Sequence, residues 1–160
     1  MRRAAIVCLV LASAAAAAPS RLIIASGAWA SFDRGQACEA VARPLAPTKK
    51  GQVEPYLAVA FDRGGPRQGQ VYIRLRRPAR DGSSVILTIG DQPFLLAARG
   101  GSAWSKDPRQ EAAILAAMRV AGGMRIEGRD LAGRRIADRF VLDGAPTAID
   151  AAAAACSRPR

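Results

Sequence analysis

The sequence predicts a mainly β protein: an antiparallel β-sandwich or partly open barrel of about eight strands, with two short helices, one near 107–121 and one at the C-terminus. Three observations carry this prediction. The segments 53–62 and 70–76 alternate apolar and polar residues with the period of a half-buried strand. Turn residues recur at short, even intervals along most of the chain. That rhythm is interrupted by helix signals in only two places, one opening at Asp107-Pro108 and one almost wholly Ala.

The elements follow in order. Residues 27–33 and 36–43 read as two short strands around an Arg34-Gly35 turn, with Trp29 anchoring the first. Pro44, Pro47, Lys49, Lys50 and Gly51 mark 43–52 as a loop. In 53–62, Leu57, Val59 and Phe61 share one face and Tyr56, Ala58 and Ala60 the other. In 70–76, Val71, Ile73 and Leu75 oppose Tyr72, Arg74 and Arg76. This pair reads as an antiparallel hairpin with one wet face. Residues 84–89 and 94–98 are apolar on both sides, which predicts central strands, and Gly100-Gly101 ends the second. Asp107 at the N-cap, Pro108 at N1 and Gln110 at N3 then start a helix with Ile114, Leu115, Met118 and Ala121 as its buried stripe. Gly122-Gly123 stops it. Residues 124–128 and 134–142 are the last two strands. The closing helix starts near Gly144, is built of Ala, a strong helix former, and ends at Cys156.

A chain of 160 residues has room for one domain. Residues 1–18 read as a secretory signal peptide: Arg2-Arg3, an uncharged run from Ala4 to Ala18, and small residues before Pro19. The run is shorter than the ~20 residues a membrane helix needs. The expected mature chain, 19–160, has no transmembrane span and is periplasmic or secreted. It keeps Cys38 and Cys156, and two cysteines in an exported chain most often form one disulfide. They stand 118 positions apart.

The composition narrows the chemistry. There is no His, which excludes Ser-His-Asp and Cys-His nucleophile systems and the usual zinc sites. No phosphate-loop or dinucleotide fingerprint is present, the acids are scattered, and no C-x-x-C pair exists. The sequence therefore assigns no catalytic residue, no metal and no cofactor. Asp138 is the odd acid, lying in phase with Ile136, Phe140 and Leu142. It reads either as a pocket carboxylate or, more simply, as an acid paired with an arginine.

Charge is the remaining signal. Lys and Arg total 24 against 13 acids, and 21 of the 24 are Arg. Arg74, Arg76 and Arg77 with Tyr72 form the candidate anion-binding group, since Arg grips phosphate or carboxylate bidentately. Arg125, Arg129, Arg134, Arg135 and Arg139 form a second group on the other hairpin. The 35 Ala alongside this Arg excess also fit a base-composition bias, with many arginines merely solvated or guarding edge strands.

The stretches PFLLAARGGSAWSKDP, AAILAAMRVAGGMRIEGRDLAG and DRFVLDGAPTAIDAAAAAC resemble the invasion-associated locus B family of exported Gram-negative bacterial proteins. Trp29 and Cys38 extend the likeness into the first half, while Ala145 departs from the aromatic expected after the glycine. The resemblance implies an envelope-associated protein and no catalytic residues. The leading expectation is thus a non-enzymatic binding or structural protein of the cell envelope. Its partners would be anionic envelope components or acidic protein surfaces, not nucleic acid. The rivals are a periplasmic enzyme inhibitor or accessory protein, and a hydrolase using Asp138.

Overall fold

The computed structural model describes residues 20–158, so the predicted signal peptide lies outside the described residues. The fold is mainly β. The strands are β1 (Arg21–Ser26), β2 (Trp29–Asp33), β3 (Ala37–Ala42), β4 (Tyr56–Asp62), β5 (Gln68–Arg74), β6 (Val85–Ile89), β7 (Gln92–Arg99), β8 (Ser102–Trp104), β9 (Gly123–Arg129) and β10 (Arg135–Val141). Two helices complete the described residues, α1 (Pro108–Val120) and α2 (Ala145–Ser157). The strands join in one antiparallel sheet ordered β1-β2-β3-β4-β5-β8-β7-β6-β9-β10, which does not close into a barrel. Strand β7 is the pivot. Its first part, to Leu96, pairs with β6, and its last part, from Ala97, pairs with β8.

Ten strands form where about eight were expected. The additional ones are β1 and β8. Strand β1 (RLIIAS) is an edge strand without alternation, and both Leu22 and Ile24 stay exposed. Strand β8 has only three residues and folds back through the Gly100-Gly101 turn. Strand β7 is central in pairing order, as expected, yet one side meets solvent and Leu95 is exposed.

The inward residues of the sheet and both helices form one apolar core. Leu57, Val59, Val71 and Ile73 are essentially inaccessible, as the alternation of β4 and β5 requires, but the expected wet face of β4 is not wet: Ala58 and Ala60, small and flanked by β3 and β5, are buried as well. Helix α1 packs against β5, and α2 lies on β1–β4. Asp107 caps α1 by accepting from the Gln110 N–H at 2.8 Å. The buried residues of α1 are Ile114, Ala117 and Met118, with Leu115 and Ala121 at the rim. In α2 the buried set is Ala145, Ala148, Ile149, Ala152 and Cys156, a continuous stripe at helical spacing. Ala145 is fully buried, so this helix seats closely through small side chains.

Cys38 on β3 and Cys156 on α2 are joined by a disulfide with Cα atoms 5.7 Å apart. A cross-link closing ~100 residues stabilises by roughly 4–5 kcal/mol in the chain-entropy account. Arg63 locks the same corner. Its guanidinium donates to the Gly35 carbonyl at 3.2 Å and to the Ala155 carbonyl at 2.9 Å, and it lies 3.3 Å from Asp33 Oδ2. The cation thereby meets the exposed carbonyls at the C-terminus of α2, where the helix dipole favours positive charge. Neither helix is long and apolar enough to cross a membrane.

Candidate functional site

The structure separates the four residues of the first arginine group. Strand β5 ends at Arg74 and the chain bends, so the strand phase that linked Tyr72, Arg74 and Arg76 does not continue. Arg76 turns inward. Its Nη2 and Nε donate to Asp138 Oδ1 at 2.6 and 3.1 Å, and its remaining N–H groups reach the Ala46 and Pro47 carbonyls. Arg77 Nε sits 2.7 Å from the buried Asp130 Oδ2, and Nη2 donates to the Arg135 carbonyl. The Tyr72 hydroxyl is bonded to Ser102 Oγ at 2.8 Å. Only Arg74 is left exposed without a hydrogen bond or ion pair among the described residues. Arg76, largely buried, and Arg77, partly exposed, are struts joining the end of β5 to the β9–β10 hairpin.

Asp138 has the simpler role. It is 3 % exposed, and its carboxylate is taken up by the Arg76 guanidinium. Its inward phase was legible from the sequence. Its partner, 62 positions away, was not.

Four of the five arginines in the second group come together, while Arg134, just before β10, is taken up by Asp130, its Nε donating to Oδ2 at 2.9 Å. The register of β9 and β10 sets Arg125 opposite Arg139 and Arg129 opposite Arg135, with Glu127 opposite Ala137 between them. The inward residues of the hairpin, Met124, Ile126, Ile136, Asp138 and Phe140, are buried, so all four arginines project to the solvent face. Glu127 is the one acid on this face of the hairpin. It accepts from Arg125 at 3.0 Å and from Arg135, and these two contacts hold its carboxyl below the usual range. Arg129 and Arg139 make no ion pair among the described residues. Arg80 joins the margin, because its N–H donates to the Arg129 carbonyl.

Like charges directly opposite on neighbouring strands are destabilising, by a few tenths to about 1 kcal/mol each. Two such pairs flanking a single carboxylate leave a strongly positive exposed face. Its guanidinium groups can grip phosphate or carboxylate oxygens in bidentate fashion. Comparison of the chain with protein-family models, curated proteins and solved structures finds no match.

Proposed function

We propose that this is an exported, non-catalytic binding protein of the cell envelope that holds polyanionic surfaces against the β9–β10 face. The observation that carries the reading is the pair of cross-strand arginine couples, Arg125 with Arg139 and Arg129 with Arg135. A partner bearing several phosphates or carboxylates removes the repulsion that the folded protein retains there. Export is supported by the secretory character of residues 1–18 and by the single disulfide, a bond rare in reducing compartments. The likeness of 93–108, 112–133 and 138–156 to the invasion-associated locus B family favours the same location.

The test is a double charge reversal, Arg129→Glu with Arg139→Glu, in the processed protein. Each substitution sets opposite charges across the hairpin, so folding gains while the positive face is lost. Wild-type protein should bind vesicles containing phosphatidylglycerol far better than pure phosphatidylcholine vesicles. That binding should weaken steeply with added salt. The variant should lose vesicle binding with its melting temperature unchanged or raised. Equal binding by variant and wild type overturns the proposal.

A further inference from the structure

The sheet carries a second feature, on the face opposite α2. Strands β1–β5 form a groove of about 940 Å³ there. The register places Ala25, Ala30 and Val41 side by side across three strands, next to Ala58. Ala30 and Val41 with the half-buried Phe32 and Tyr56 rings make an apolar floor. Tyr72 stands behind Tyr56, with ring centroids 5.9 Å apart.

The walls are polar in a balanced way. At one end Arg34 pairs with Glu39 at 2.6 Å and lies over the Phe32 ring, 5.5 Å from its centroid. At the other, Arg43 pairs with Glu54 at 3.4 Å. Each end thus offers N–H donors and carboxylate acceptors together. The third lining cation, Arg74, faces Tyr56 across the β4–β5 register and has no ion-pair partner among the described residues. Burial pushes the Tyr56 hydroxyl up, helped by Tyr72 and Glu39 and opposed by Arg74 and Arg34, so at neutral pH it remains a donor.

These features select an occupant. An acyl chain would satisfy the floor but leave the donors and acceptors of both walls unused. A polyanion would meet the two wall glutamates. We propose that the groove binds an acidic saccharide, a uronate whose ring stacks on Tyr56, whose hydroxyls bridge the Arg34–Glu39 and Arg43–Glu54 pairs, and whose carboxylate is held by Arg74. Flat apolar faces edged by hydroxyls match an aromatic floor with mixed polar rims, and a single carboxylate matches the one uncompensated cation.

The experiment is calorimetric titration of the processed protein with methyl galacturonoside, which carries one carboxylate, and with its methyl ester. Loss of a charge-assisted contact is worth about tenfold in affinity, so the acid should bind about tenfold more tightly than the ester. Arg74→Gln should weaken the acid by that factor and leave the ester unchanged. Arg74 is exposed, so this variant should fold normally. The Arg129→Glu, Arg139→Glu protein should bind methyl galacturonoside like wild type, which separates this site from the vesicle-binding face. Equal affinity for acid and ester, additive losses from esterification and Arg74→Gln, no binding at millimolar probe, or tighter binding of decanoate each overturns the assignment.

Discussion

Arg76 and Asp138 are the clearest case at the scale of single residues. Their side chains are 12 % and 3 % exposed, so the ion pair is close to fully desolvated. A pair of this kind adds little net stability, but removing one partner strands a buried charge. Arg76→Ala should therefore destabilise by about 3–5 kcal/mol. The double substitution Arg76→Met with Asp138→Leu should recover most of that loss. Urea denaturation of the three proteins decides it, and a single variant as stable as wild type would show the pair to be solvated. The alternation of 134–142 was enough to turn Asp138 inward. Nothing local specified which of the 21 arginines would meet it.

Elements depend on close approaches that periodicity does not encode. The β1–β2 turn and the β10–α2 junction touch backbone to backbone. The Ala28 N–H donates to the Asp143 carbonyl at 3.1 Å. Gly144, the N-cap of α2, has φ +82°, and a Cβ there would lie 1.9 Å from the Ser26 carbonyl oxygen. Gly144→Ala should cost at least about 2–3 kcal/mol, since strain and collision combine. Gly82 has a similar φ of +73° with open space around it, so Gly82→Ala should lose only about 1 kcal/mol. Similar melting-temperature shifts for the two variants would rule out the collision. Both helices were legible to within a residue or two of their observed starts, because Asp107-Pro108 and Gly144 are chemical start signals. Strands β1 and β8 were not legible. One lacks alternation, the other is too short to show it, and each exists because a neighbour supplies its hydrogen bonds.

For the whole molecule, the absence of His fixes the pH response. The described carboxyls with altered acidity, Asp62, Glu127, Asp130 and Asp150, all lie below their ordinary values. Arginine hydrogen bonds dominate at Asp62, Glu127 and Asp150. At Asp130 burial pushes upward, but the contacts from Arg134 and the Ala132 N–H outweigh it. Depressed values mean that the unfolded chain binds more protons than the folded one. The stabilisation is complete above the unfolded carboxyl range and is lost as pH falls through the folded values. Melting temperature should therefore be flat from about pH 5.5 to 8 and drop below about pH 4. Thermal scans at constant ionic strength test this, and a transition centred near pH 6.5 would contradict it. The groove across β1–β5 also belongs to this scale. Phe32, Glu39, Val41, Tyr56 and Arg74 sit on four strands, and the pairing register of those strands brings them to one face of the sheet.

The sequence alone determined the β class, the two helices, the dry face of β4–β5, the inward phase of Asp138 in β10, and the chemistry that a chain without His must forgo. Those properties reside in spacing and side-chain type, which act over a few residues. Tertiary structure decided which arginines became struts and which remained free. It also decided that β1 and β8 complete the sheet and that Arg74 faces a groove. Those outcomes rest on contacts between distant segments, where burial and pairing of charge depend on what the fold brings alongside.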